Sequence, residues 1–246
     1  DHVIIYARES VYFTPRTWFL FRSFGHNPSK LSLMQGSLEE WMDAGGEVDD
    51  HRVQVVNAQE DLMVVADDGG GFGGGDTTTT TTMMMEYNTS TSSAPTNVCD
   101  LSDVMEVVND DDDMTLIIDS RGSSYAKKGH IPKSVHIPYN RYVVSSPERN
   151  TLKMKPVEDI RRVFEEAGVN PLMEGNIICS CGSGVSACHT FLALQMCGRN
   201  VWGDGDGDGN DDGKGDIGAS GSGAGTALYD GSWSEWGSEE DTPKEK

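Results

Sequence analysis

Residues 177–188 read IICSCGSGVSAC: an apolar run, a glycine-serine turn, and three of the chain's five cysteines within ten residues. NIICS (176–180) has the length and β-branched content of a buried strand, and SACHTFLALQMCG (186–198) reads as a helix stopped by Gly198. A strand, a glycine-rich turn and a helix N-terminus together make a nest of backbone N–H groups that attracts negative charge. Cys181 heads that turn, where the nest is expected to stabilise a thiolate. Gly182 and Gly184 let the backbone curl round the sulfur, and Ser183 and Ser186 can add hydroxyl donors. Cys179 lies two residues back on the strand, Cys188 on the helix and Cys197 near its end. These three, with Cys99, are expected to be ordinary buried thiols.

Outward from this stretch, strand and helix patterns alternate. VIIY (3–6) reads as a strand, and Thr14-Pro15 opens a helix, with Thr14 able to cap it and Gly25 ending it. KLSLM (30–34) alternates like a strand, and GSLEEWMDAGG gives a helix with Ser37 and Glu40 placed as a capping box. CDLSDVMEVVND predicts a helix, MTLIID (114–119) a strand, PVEDIRRVFEEAG a helix stopped by Gly168, ALYD (227–230) a strand and SWSEW a last helix. Strands alternating with helices predict an α/β fold with a parallel sheet flanked by helices.

The chain also repeats itself. Gly36-Ser37-Leu38-Glu39-Glu40-Trp41 and Gly231-Ser232-Trp233-Ser234-Glu235-Trp236 share the pattern G-S-x-x-E-W, and the same order of elements precedes each. VIIYAR aligns with NIICSC, which sets Arg8 opposite Cys181, so only the second copy carries a cysteine at the turn. The expected organisation is a partial, inactive domain at 1–66, a low-complexity linker at 67–97, and a complete catalytic domain at 98–246 with a disordered insertion at 203–225. The chain opens on Asp-His directly before VIIY, as a fragment of a longer protein would.

Composition narrows the function classes. The net charge of −21 and isoelectric point near 4.4 argue against a nucleic-acid partner or an anionic membrane surface. No apolar run reaches the length of a membrane span, and no signal sequence opens the chain. An odd cysteine count without scaffold spacing fits a reducing, intracellular compartment.

IICSCGSGVSAC with the downstream ALYDGSWSEWG resembles the active-site half of a sulfurtransferase of the rhodanese superfamily. LIIDSRG and GHIPKSVHIPYN resemble the first half of that domain, and TPRTWFLFRSFGH with SLEEW resembles the inactive domain of the tandem-domain enzymes. The resemblance implies a rhodanese-like fold in which Cys181 takes sulfur from a donor as a persulfide and passes it to a thiol or cyanide. Thioredoxin or a low-molecular-weight thiol would be the acceptor, in the mitochondrion or cytoplasm, and no cofactor is implied. The loop Cys181–Ser186 would cradle the persulfide through its amides, so Gly182, Gly184, Val185 and Ser186 are expected to bind substrate. A neutral CGSGV[ST] loop resembles the 3-mercaptopyruvate branch rather than the thiosulfate branch. Ser183 matches the serine of that branch's catalytic hydrogen-bond relay.

The family's donor-binding arginines fall between the DSR strand and GHIP, where this chain has GSSYAKK. Tyr125 stands near the place of the first arginine, with Lys127 and Lys128 as the cations at hand. Arg121 corresponds to the arginine of the DSR strand and is taken as substrate-binding. The relay's other members, an Asp and a His, would lie before residue 1. The alternative to an enzyme is a catalytically weak persulfide carrier or docking module.

Other chemistries fit less well. A cysteine-dependent phosphatase needs an arginine six residues after its cysteine, and that position is Ala187. Cys179-x-Cys181 lacks the two-residue spacer of thioredoxin-type sites, and no histidine–cysteine spacing suits zinc. In GDGDGDGNDDGKGD (203–216), Asp204, Asp206 and Asp208 have calcium-loop spacing, but position twelve is Gly215 rather than Glu.

Overall fold

The computed structural model describes residues 2–8, 11–49, 53–55, 64–66, 97–110, 114–145, 152–202 and 225–246. The expected linker and insertion lie outside these residues, apart from Asn97 and Gly225, and so does the aspartate run read for calcium. The chain divides into two compact units, Asp1–Glu40 with Ser93–Lys246, and Trp41–Ser92.

The larger unit starts with β1 (Val3–Ala7), helix α1 (Thr14–Ser23) and β2 (Leu31–Ser37), which runs parallel to β1 from Val3↔Leu31 to Ala7↔Ser37. Pro15 sits in the first turn of α1, where its missing N–H leaves nothing unpaired, and Gly25 ends the helix at φ +81°. Thr14 does not cap the helix as expected. Phe13 is the N-cap, and Thr14 is already helical, its hydroxyl donating to the Val11 carbonyl at 3.0 Å. The capping box at the start of α2 (Leu38–Asp43) does form: the Glu40 amide donates to Ser37 Oγ at 3.3 Å, and the Ser37 amide to Glu40 Oε2 at 2.9 Å. In the smaller unit the Trp41 indole donates to the Glu47 carbonyl at 3.0 Å, and β3 (Val53–Val55) pairs antiparallel with β4 (Val64–Ala66).

The larger unit resumes with β5 (Val98–Cys99), α3 (Leu101–Asn109), β6 (Thr115–Asp119), the short helix α4 (Ser124–Lys128) and β7 (Ser134–His136). An antiparallel pair, β8 (Val143–Ser145) and β9 (Leu152–Met154), leads to α5 (Val157–Glu166). Then come β10 (Asn176–Ser180), α6 (Ala187–Met196), β11 (Thr226–Tyr229) and α7 (Ser232–Trp236). Five strands form one parallel sheet in the order β5-β11-β10-β6-β7. The fold is α/β, a parallel sheet flanked by helices.

Alternation along the strands explains the two helical layers. Ile117, Ile178, Ala227 and Tyr229 face one side, where they meet Val104 and Val108 of α3 and Trp236 of α7. Ile118, Ile177, Cys179 and Leu228 face the other, with Phe164 of α5, Phe191 of α6, and Trp18 and Phe19 of α1. The N-terminal repeat thus shares a core with the second: the Phe19 and Phe191 rings lie 4.9 Å apart, edge to face.

This topology also places the site. From β6 the chain moves outward to β7, and from β10 it moves the opposite way to β11, so the neighbours β6 and β10 diverge at their carboxyl ends. A crevice opens at such a switch point in parallel α/β sheets. Just past the two strands the Ser120 amide donates to the Ser180 carbonyl at 2.8 Å, and the next residue on each chain is Arg121 or Cys181. Among the described residues, no helix is long and apolar enough to cross a membrane.

Candidate active site

Cys181 is 1% exposed and forms part of the floor of a cleft of about 210 Å³ at this switch point. Gly182, Ser183, Val185 and Ser186 of the loop, Arg121, Gly122 and Ser124 after β6, and Tyr12 and Tyr139 line the rest. The structure therefore brings all the loop residues expected at the site together except Gly184, which is buried behind the lining. A larger cavity of about 480 Å³ lies at Arg8, the repeat counterpart of Cys181, and among the described residues no cysteine or histidine lines it.

The loop is held from behind by the G-S-x-x-E-W segment. Ser232 Oγ accepts the amides of Cys181 and Gly184, each at 3.1 Å, and donates to the Tyr229 carbonyl at 2.7 Å. Ser232 sits at φ +51°, a left-handed conformation that a serine adopts only when its surroundings hold it there. The first free amides of α7 are used too: Trp233 donates to the Cys181 carbonyl at 3.0 Å and Ser234 to the Gly182 carbonyl at 2.9 Å. With the Cys181 and Gly182 carbonyls engaged on α7, the loop leaves the amides of Gly182, Ser183, Val185 and Ser186 without a protein acceptor among the described residues. These amides, with the N-terminus of α6 beginning at Ala187, form a positive rim beside the sulfur.

Gly184 has φ +74°, and a Cβ there would stand 2.5 Å from Asp230 Oδ1. Only glycine allows both the turn and this approach. Arg121 is engaged through Nε and Nη2. Its Nε donates to both Asp119 oxygens at 3.1 and 2.9 Å, its Nη2 donates to Asp119 Oδ2 at 2.7 Å and to the Gly129 carbonyl at 2.9 Å, and its guanidinium stacks 4.4 Å from the Trp233 ring. Its Nη1 alone is buried without a partner among the described residues. Lys127 and Lys128 are exposed on α4 and do not line the cleft.

Tyr125 is stacked between His130 and His136, both ring centroids 4.1 Å away, and its hydroxyl donates to the Ser134 carbonyl at 2.9 Å. The two histidines of GHIPKSVHIP thus serve a stack beside the cleft. Burial, together with Tyr139 and Cys181, raises the Tyr12 phenol above its ordinary value and keeps it a neutral donor. His189, wholly buried against Tyr12 and Tyr139 at ring distances of 5.7 and 5.3 Å, is pushed down to about 4 by burial, with the Ser186 main chain a weak counterweight.

Burial raises the other four thiols: Cys99 and Cys179 strongly, Cys188 to about 12, and Cys197 as well. They are core residues, as expected for them. The residues that sequence reasoning misses are Tyr12, Tyr139 and Ser232. Ser232 had a signal, its place in the repeated G-S-x-x-E-W, whereas the tyrosines reach the cleft from distant segments with no local pattern.

The Rhodanese-like domain family model matches residues 101–239, more than half of the chain. The chain is 25% identical over 248 aligned residues to 3-mercaptopyruvate sulfurtransferase of Mus musculus, covering 96% of this chain and 62% of that protein. It is 25% identical over 237 to thiosulfate sulfurtransferase of Gallus gallus, covering 96% and 63%. The crystal structure of SseA from Escherichia coli, described as a 3-mercaptopyruvate sulfotransferase with the rhodanese fold, superposes with a TM-score of 0.55. Its identity is 23%, over 96% of this chain and 68% of that one. The chain thus spans about three-fifths of the length of these two curated relatives.

Proposed function

The chain belongs to the rhodanese-like domain family, and from that premise we propose that it is a sulfurtransferase in which Cys181 carries the sulfur. The observation that carries this reading is the loop itself: one cysteine at the head of a switch-point crevice, on a loop with four amides unengaged among the described residues. The Cys181 thiolate attacks the sulfur of 3-mercaptopyruvate. The C–S bond breaks with its electron pair left on carbon, the resulting enolate takes up a proton as pyruvate, and Cys181 keeps the sulfur as a persulfide. An acceptor thiolate, on thioredoxin or a small thiol, then attacks the outer sulfur, and the S–S bond breaks to return the Cys181 thiolate. The amides of Gly182, Ser183, Val185 and Ser186 hold the persulfide's charge, and Gly184 gives the turn its shape.

Ser183 is exposed in the cleft, and in this reading its hydroxyl relays the proton. Arg121 contributes positive potential rather than a bidentate clamp, since Asp119 occupies its fork. A neutral Gly182-Ser183 pair suits a monoanionic donor better than dianionic thiosulfate. Residues 98–246 act as the catalytic domain, and residues 1–66 as half of a silent sister domain that supplies Tyr12 to the cleft. The compartment in this reading is reducing, mitochondrial or cytoplasmic.

A second reading, a persulfide carrier that turns over poorly, is favoured by one observation: no free lysine or arginine fork lines the cleft among the described residues. Thiocyanate formation from cyanide, with 3-mercaptopyruvate and thiosulfate as competing donors, separates the two. Turnover that vanishes in Cys181→Ser supports the enzyme, and faster turnover with thiosulfate overturns the donor assignment. No turnover by folded protein from either donor leaves the carrier.

A further inference from the structure

We infer that Arg16, on the N-terminal repeat, is a positioning residue for the Cys181 loop and acts through Asp230. Arg16 Nη1 donates to Asp230 Oδ1 at 2.6 Å, joining α1 to the residue that follows β11 across 214 positions of chain. That carboxylate is the wall against which Gly184 is set: Oδ1 stands 2.5 Å from the site a Gly184 Cβ would occupy, the Asp230 carbonyl 3.0 Å and Arg16 Nη1 3.3 Å. Cys188 lies on the helix side of the same glycine, its thiol donating to the Gly184 carbonyl at 3.2 Å. Gly184 therefore has Asp230, Arg16 and Cys188 about it, and its own amide is held by Ser232.

The pair is too open to be there for stability. Arg16 is 23% and Asp230 49% exposed, and ion pairs at such sites contribute little to folding. Its geometric effect is larger. Arg16 fixes the rotamer of Asp230, and Asp230 fixes how deeply Gly184 sits, which sets where the flanking amides point relative to the sulfur. Arg16 also neutralises a carboxylate that would otherwise present negative charge to a loop built to receive it. The N-terminal repeat thus has no nucleophile of its own yet shapes the site of the second copy.

This inference rests on the sulfurtransferase reading for its kinetic arm but not for its chemical one. Arg16→Met, Arg16→Lys and Asp230→Asn, and the double variant Arg16→Met/Asp230→Asn, are compared with the parent protein. Expected for Arg16→Met is a kcat about ten- to a hundredfold lower with donor KM little changed. The rate of Cys181 alkylation by iodoacetamide at neutral pH, read peptide by peptide, falls about tenfold with it. Arg16→Lys recovers most of both. In the Asp230→Asn background, Arg16→Met adds nothing, as coupled residues require.

A lowered melting temperature with kcat and alkylation unchanged overturns the inference and leaves a simple bridge, and so do additive effects in the double variant. Should Arg16→Met fail to fold, Arg16→Lys and Asp230→Asn, which keep the bulk, still read the coupling. If the parent protein transfers sulfur from no donor, the sulfurtransferase reading falls, while Cys181 alkylation continues to decide the role of Arg16.

Discussion

Ser232 Oγ lies 3.1 Å from the amide nitrogen of Cys181, so the final helix of the chain holds the residue proposed to carry sulfur. The same oxygen takes the Gly184 amide at 3.1 Å. Ser232→Ala leaves two buried amides unpaired and is expected to cost about 2 kcal/mol of stability, since each lost partner carries a desolvation penalty. Urea unfolding measures that part. Thiocyanate formation should fall more, about ten- to a hundredfold, because the loop loses its inner anchor. A variant as active as the parent would mean that α7's amide bonds alone hold the loop.

Gly184→Ala should be far worse than Gly198→Ala. Both glycines have positive φ, +74° and +98°, so both substitutions meet backbone strain of about 1 kcal/mol. Gly198 has open space around its missing Cβ, whereas at Gly184 the new methyl meets Asp230 Oδ1 at 2.5 Å and backbone at 3.0 Å. The expected result is a mild loss of thermal stability for Gly198→Ala with activity kept. Gly184→Ala should show at least about a tenfold loss of turnover, because the loop must shift.

These comparisons also indicate how much could be read from the chain alone. The strands of the sheet were legible because apolar runs such as Leu116–Ile118 and Ile177–Cys179 feed both helical layers. The loop proposed to carry sulfur was legible because a cysteine followed by glycines at 182 and 184, between a strand and a helix, has few other uses. What could not be read depends on distant segments meeting. Tyr12 and Tyr139 stack edge to face at 5.2 Å over the cleft, yet 127 positions separate them and neither sits in a pattern. The repeated Gly-Ser pair shows the limit most clearly. Ser37 caps α2, as its motif implies, while Ser232 is turned to φ +51° and spends its hydroxyl on the loop. Identical local sequence thus takes different roles in the two copies.

Alkylation should single out one thiol. All five cysteines are buried, but burial pushes Cys99, Cys179, Cys188 and Cys197 above the ordinary thiol range and leaves them nearly without thiolate at neutral pH. Cys181 is the one that lines a cleft. Brief iodoacetamide treatment of folded protein is therefore expected to add one adduct, on the peptide containing Cys181, and to stop sulfur transfer. Adducts spread over several cysteines would show that the core opens faster than the cleft admits reagent.

His189 should make the protein acid-sensitive. Its folded-state value is pushed to about 4 from an ordinary 6.5. Between those values the unfolded chain binds a proton that the folded chain refuses, so stability is intact above 6.5 and falls as pH drops toward 4. At pH 5 the loss from this group alone is about 2 kcal/mol. His189→Phe keeps an aromatic ring against Tyr12 and Tyr139 and removes the proton site. The gap between urea midpoints at pH 7.5 and pH 5 should shrink in that variant, and an unchanged gap would assign the acid sensitivity to carboxylates.

Arg121→Lys tests whether the arginine after β6 is a structural fork. Asp119 is wholly buried and receives Arg121 through Nε and Nη2, while the guanidinium plane lies 4.4 Å from Trp233. Lysine supplies one point charge, cannot bridge both oxygens and the Gly129 carbonyl in one plane, and does not stack as a guanidinium does. A buried carboxylate left under-paired is penalised heavily, so the variant should lose about 3 kcal/mol, visible in urea unfolding. Asp119→Asn should lose a similar amount, and the two losses should not add, because each breaks the same pair. Donor binding gives the complementary reading. If Arg121 serves the donor mainly through its charge, Arg121→Lys keeps KM for 3-mercaptopyruvate within a few-fold of the parent while stability falls. A KM that rises tenfold or more would mean that the buried Nη1, now unpaired, is taken up by the donor.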